Sequence, residues 1–371
     1  MASSVLLEGL HIPLTTPFHA DGSVALDKLE RNVARYSKTP AAGLIVLGPS
    51  AEPTLLSDDE TRNVLRTAAE AAAPEKVLIA GIARDSVRSV LILADFAAQH
   101  HYDAILVGVP NLKVLNSSFA SENPFEMEEA EQRNYLTERA RQRHQALTIF
   151  FKAIADRSPL PLIVGRSPGS ETVELASHPN VLGCIDRHGV QSDLRPYAKS
   201  TTSIRREVTV TSTFAAVTAR MKLAAEAAPA LVSAASLTGS ATAVAEPPTQ
   251  APALRTRTKS VGFQILSGNS GSLLDALNAN ATGIAPAFAA AAPQACYEVY
   301  AARKDGDAAL AQEKQARIRE AAALAESLGP GGIKYACDLN GYAAGLPRLP
   351  HLPPTGEQRA ALEALMQGLR N

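Results

Sequence analysis

Apolar residues gather along this chain in short unbroken runs, separated by longer stretches in which they recur every three or four positions. The runs are "HIPLTTPF" (11–18), "GLIVLG" (43–48), "KVLIAGIA" (76–83), "AILVGVP" (104–110), "PLIVGRSP" (161–168), "NVLGCID" (180–186), "FQILSGN" (263–269) and "ATGIAPAFA" (281–289). Each is nearly uniformly apolar rather than alternating, as strands buried on both faces of a parallel sheet should be. The intervening stretches have helical periodicity. "ALDKLERNVARYSK" (25–38) sets Leu26, Leu29, Val33 and Tyr36 on one stripe with charges opposite. "SDDETRNVLRTAAEAA" opens with Ser57 as an N-cap and Glu60 three residues on, a capping box with acids in its first turn. "SVRSVLILADFAAQHH" is an apolar-faced helix after the third run. Eight such strand–helix units predict an α/β fold closed as a (β/α)8 TIM barrel with right-handed crossovers. An open doubly wound sheet is the competing architecture, and it is weakened because no Gly-rich phosphate loop follows the first run.

Two segments break the rhythm. Residues 114–145 begin polar and end in a strongly charged helical pattern, extending the fourth strand–helix loop and its helix. Residues 199–259 form a longer insertion between the sixth and seventh strands, rich in Ala, Thr, Ser and Val with a Pro-rich end. Within it "FAAVTARMKLAAEAA" (214–228) fits a helix, while the rest reads as weakly specified. Disorder or loose surface packing is expected there, ahead of a functional lid. The C-terminal part is helical. "PQACYEVYAARKDGDAALAQEKQARIREAAALAESLG" reads as two helices broken at Asp305-Gly306, and "GGIKYACDLNGYAAG" and "TGEQRAALEALMQGLR" as two more. The expected organisation is a barrel over residues 1–300, interrupted at 199–259, and a helical extension over 301–371.

Composition narrows the class. The 371 residues are 46% hydrophobic and 20% charged with a net charge of −1, a globular balance giving no electrostatic case for nucleic acid or an anionic membrane surface. Cys184, Cys296 and Cys337 have no metal-ligand spacing, and a sparse odd set points to reduced thiols and a cytoplasmic location. The N-terminal "MASSVLLEGLHIP" lacks the basic region of a signal peptide and is too short for a membrane span.

Several stretches, in order along the chain, resemble the dihydrodipicolinate synthase / N-acetylneuraminate lyase family. "TPFHADGSVALDKLERNV" from Thr16 is similar to the family's opening strand and helix, and "GLIVLGPSAEPTLLSDDE" to its second strand, Gly-Thr-Thr-Gly-Glu turn and helix start. "FFKAIADRSPLPLIV" (150–164), "HPNVLGCID" and "FQILSGN" resemble its fifth, sixth and seventh strand regions, and "GIKYACDLNGYAAGLPRLPHLPP" its C-terminal segment. The resemblance implies a (β/α)8 barrel with extra C-terminal helices and a homo-oligomer, dimer or tetramer. It also implies Schiff-base chemistry, in which a lysine amine condenses with pyruvate or another 2-oxo acid and the iminium acts as an electron sink.

The chain departs from that pattern where the chemistry should be. The lysine position of strand six falls on Ile185, in "GCID". The strand-five tyrosine falls on Gly165, and the arginine beyond it near Ser170. The Thr-Thr of the second-strand turn becomes Pro49-Ser50, its Gly becomes Ala51, and the tyrosine pair after strand four becomes Asn111-Leu112.

Functional residues of such barrels sit at the C-terminal ends of the strands. Those ends offer Thr15, Thr16, Ser50, Arg84, Arg166, Ser167, Arg187 and Ser267 as ligand-binding candidates, with Glu52, Asp85 and Asp186 as possible ion-pair partners of the arginines. Hydroxyls and arginines suit a small anion such as a 2-oxo acid. Lys113 just past strand four, and His188 as a base beside Asp186, are the catalytic candidates if the protein is active. No resident metal or organic cofactor is indicated. Three readings follow: a divergent family member that binds a small anion without Schiff-base catalysis, an active lyase or dehydratase with relocated groups, or an interaction protein acting through its insertion.

Overall fold

The computed structural model describes residues 5–111, 129–165, 170–186, 194–227 and 254–369. All eight apolar runs form strands of one closed barrel. They are β1 (Gly9–Pro13), β2 (Gly43–Val46), β3 (Val77–Ile82), β4 (Ala104–Gly108), β5 (Leu162–Gly165) and β6 (Val181–Asp186), followed by β9 (Gln264–Ser267) and the two-residue β10 (Gly283–Ile284). Every neighbouring pair is parallel, and β10 closes the ring on β1, with Gly9 beside Gly283. The first strand begins two residues before its apolar run and ends at Pro13, so Thr15 and Thr16 lie in the loop beyond it.

Successive strand residues point to opposite faces, which splits the core in two. Leu10, Ile12, Leu44, Leu78 and Ile105 face the helices, whereas Ile45, Ile79, Leu106, Ile163, Ile185 and Leu266 fill the barrel interior. Each such side chain, fully buried, contributes about 1.5–3 kcal/mol. His11 is a polar member of the interior. It is fully buried, occupies the space that a side chain on Gly43 would need, and donates from Nε2 to the Leu7 carbonyl at 3.2 Å. Burial lowers its pKa from 6.5 to about 4, so it is neutral in the folded chain.

Outside the strands lie α1 (Leu26–Ser37), α2 (Asp58–Ala71), α3 (Val87–Gln99), α4 (Glu129–Ala155), α5 (Ser170–Leu175) and α6 (Arg195–Ser200). The expected capping box starts α2: Ser57 accepts from the Glu60 amide, and Glu60 accepts from the Ser57 amide.

The described parts of the insertion, residues 199–227 and 254–259, depart from the expected looseness. They contain an antiparallel ribbon, β7 (Arg206–Thr211) and β8 (Thr256–Val261), with Arg206 opposite Val261 and Thr211 opposite Thr256. Val208, Val210 and Val261 pack on Leu6 beside the start of β1, which puts the ribbon under the base of the barrel, away from the mouth. Helix α7 (Ala219–Ala227) is fixed at the same end. The Ala219 amide donates to Asp103 at 2.6 Å, Thr218 donates to the Pro74 carbonyl, and Arg220 to those of Ala73 and Lys76. The helix begins at residue 219 rather than 214, because Phe214 takes a left-handed turn conformation. Residues 228–253, the Pro-rich end included, lie outside the described residues.

After α8 (Leu273–Asn278) and β10, the chain enters α9 (Pro293–Lys304), α10 (Ala308–Ser327), α11 (Gly329–Leu339) and α12 (Gly356–Met366). The break at Asp305-Gly306 falls where the sequence places it, and Asp307 caps α10 through the Leu310 amide. Helix α9 runs through residue 300.

Candidate binding site at the barrel mouth

At the C-terminal ends of the strands, Ile45, Leu106, Ile185 and Ala285 come from β2, β4, β6 and the residue just after β10. Together they form one interior layer drawn from alternate strands. They line a cavity of about 240 Å³, whose polar wall includes Ser50, Asn269 and Glu326. Ile185 is 3% exposed, packed into this layer. A larger cavity of about 690 Å³ shares Pro49 and Leu106 with the first. Glycines make it wide: Gly48, Gly81, Gly108 and Gly165, on or beside β2 to β5, all line it. At Gly165 a side chain is not merely missing. A Cβ there would lie 2.5 Å from the Val107 carbonyl oxygen, so β4 and β5 have closed over the position.

The rim of the larger cavity is held by charge. Glu52 and Lys334 are fully buried and 2.6 Å apart. Lys334 also donates to the Leu346 carbonyl at 3.0 Å and sits over the Phe18 ring at 4.1 Å. Burial pushes its pKa down and Glu52 pulls it back up. The Arg348 amide donates to the second Glu52 oxygen at 2.8 Å, and the Arg348 guanidinium also sits over the Phe18 ring, 4.4 Å from its centre. That guanidinium donates to both oxygens of Glu60, holding the Glu60 pKa down at about 2. Glu52 itself has a left-handed backbone, φ 57, fixed by these contacts. Its charge is therefore spent on Lys334, and the remaining charged or titratable side chains among the described lining residues are Arg143 and His351. The smaller cavity differs, since its charged lining residue is Glu326, which accepts from Ser270.

The candidates named from the sequence divide sharply. Ser50 lines the central cavity, as do Ile185 and, in the larger one, Gly165 and Glu52. Thr15 and Thr16 are buried behind the mouth, and Thr16 donates to the Ala51 carbonyl at 2.8 Å, fixing the turn after β2. Arg84 turns away from the cavity to the first turn of α2, donating to Asp58 at 2.9 Å and Thr61 at 3.1 Å; its acid partner is Asp58, not Asp85, Asp186 or Glu52. Ser267 is fully buried and lines neither cavity, because its neighbour Leu266 is the residue facing the barrel interior. Lys113, Arg166, Ser167, Arg187 and His188 lie outside the described residues. Arg143, on α4, and His351 were not among the sequence candidates, since neither is near a strand end in sequence. Among the described residues no group of three His, Cys, Asp or Glu is placed to hold a metal, and no helix is long and apolar enough to cross a membrane.

A closed eight-stranded barrel with its open cavities at the strand C-termini defines a (β/α)8 protein with its candidate site at the barrel mouth. More particularly, residues 6–116 and 218–369 match the model of the Dihydrodipicolinate synthetase family, and the chain belongs to that family. The matched residues flank the segment that carries β5 and β6. The 4-hydroxy-tetrahydrodipicolinate synthase of Acidiphilium cryptum is 25% identical over 374 residues, covering 98% of this chain and 99% of that one. The fold is shared with an E. coli K12 prophage protein of the dihydrodipicolinic acid synthase family, solved in complex with pyruvate. There the TM-score is 0.67 at 19% identity, over 98% of this chain and 99% of the other. It is shared too with the N-acetylneuraminate lyase of Fusobacterium nucleatum, with TM-score 0.66 and 16% identity over 98% and 99% of the two chains.

Proposed function

We propose that this protein is a divergent member of its lyase and aldolase family that binds a small carboxylate reversibly at the barrel mouth, without forming a Schiff base on strand six. The observation that carries the reading is Ile185, buried in a hydrocarbon layer at the position where the resemblance puts the lysine. A hydrocarbon cannot condense with a keto group, and Gly165 leaves no phenol to relay a proton. What the mouth does supply is space, small hydroxyls and a cation. Glu52 is neutralised by Lys334, so the Arg143 guanidinium meets an anion without opposition from that carboxylate. The family's homo-oligomeric assembly and a cytoplasmic location belong to the same reading.

Calorimetric titration with pyruvate and with a dicarboxylic 2-oxo acid tests it. Saturable, reversible binding is expected, weakened about tenfold in Arg143→Ala and unchanged in Arg84→Ala, whose guanidinium faces α2. Turnover of either acid, or binding insensitive to Arg143, would remove the reading.

A further inference from the structure

The insertion does more than cover the base of the barrel. Between β8 and the last turn of α9 it borders a third cavity, open to solvent and of about 440 Å³, on the face opposite the mouth. The volume is within the range of small-molecule sites. Its charged lining residues are Glu8, Lys259, Arg303 and Lys304, three cations and one acid. Lys259, on β8, forms an ion pair with Glu8, so that acid is already engaged. Arg303 donates from Nε to the neutral amide oxygen of Asn278 at 2.6 Å, which leaves its charge uncompensated. Lys304 lies 5.9 Å from the centre of the Tyr300 ring. Among the described residues neither Arg303 nor Lys304 forms an ion pair with a carboxylate. Ser260, Asn280 and Thr282 add polar groups around the same space.

We infer that this cavity is a second ligand site, for a small dianion of the phosphate or phosphomonoester kind. Its walls are the insertion on one side and the end of the eighth barrel helix on the other. The chemistry fits in two ways. A guanidinium offers paired donors that match two phosphate oxygens, and the lysine ammonium groups add point charge from the sides. The competing account of Arg303 and Lys304 is that cations in the last turn of a helix complement its dipole. That accounts for their position on α9 but not for a cavity with Lys259 brought to it from another element. Because β8 supplies Lys259, Ser260 and Val261, the site exists only while the insertion is folded against the barrel.

The test is titration of the full-length protein with inorganic phosphate and with pyrophosphate, followed by calorimetry and by the chemical shift of the phosphorus nucleus. Pyruvate serves as the separate probe of the mouth. The expected result is saturable phosphate binding that weakens about tenfold in Arg303→Ala, and further in the Arg303→Ala/Lys304→Ala double variant, with pyruvate binding unchanged. A Lys304→Glu variant, at an exposed position, should lose phosphate binding while keeping the wild-type melting temperature. Absence of saturable binding, or equal binding by wild type and by folded variants, would overturn the inference. So would phosphate displaced by pyruvate, since that would place the anion at the mouth.

Discussion

The two ends of this barrel are finished in opposite ways. At the mouth, a layer of hydrocarbon and a row of glycines leave two adjoining cavities open. At the base, the insertion between β6 and β9 is laid across the strand starts. It is fixed by three valines on Leu6 and by hydrogen bonds to carbonyls and to Asp103. The difference shows that one end is left hollow while the other is covered by added chain, although both rest on the same eight strands. The frame around the mouth is heavily built, with the cations of the buried Glu52–Lys334 pair and of the Arg348–Glu60 pair both against the Phe18 ring. Such pairs belong to the fold whatever the mouth does, because an incomplete buried pair is strongly destabilising.

The largest expected effect lies in that frame. Lys334→Met leaves the Glu52 carboxylate buried without its partner and should cost about 3–5 kcal/mol in urea unfolding. Adding Glu52→Gln to the same chain should restore most of the loss; a double variant as unstable as the single one would mean that the pair is not what holds the rim.

The next effect concerns the barrel interior. His11 stays neutral in the folded protein until pH falls to about 4, but takes up a proton near pH 6.5 once unfolded. Its contribution is therefore complete above pH 6.5 and is lost as pH falls toward 4, about 3 kcal/mol in all. His11→Gln should flatten this part of the stability profile, measured by denaturation at a series of pH values. An unchanged slope in the variant would assign the acid sensitivity elsewhere.

A smaller effect separates the two ends. Val210→Ala, at the ribbon's buried face, removes two methyl groups from the base and should cost about 1–2 kcal/mol. Pyruvate affinity at the mouth should not move. A parallel fall in pyruvate affinity would show that the ends are coupled.

The barrel was legible in the sequence because parallel strands buried on both faces leave uninterrupted apolar runs, and all eight runs became strands. The ribbon was not. "REVTVT" does alternate, with Val208 and Val210 inward, but its partner "TRTKSV" is almost wholly polar and looks like a strand only once paired. Of the site, the places of Ile185, Gly165 and Ser50 could be read from the resemblance and the strand ends. Arg84 and Ser267 could not, because at a strand end a shift of one residue exchanges the cavity for the helical layer. Arg143 and His351 meet at one cavity from positions far apart in the chain, a proximity that only the closed fold creates.

The central claim is that no amine at the mouth captures a keto acid. Its most direct test is borohydride reduction of the intact protein in the presence of pyruvate, read by intact mass and peptide mapping. The account predicts unmodified protein. A reduced pyruvate adduct on any lysine inside the barrel, Lys113 included, would contradict it.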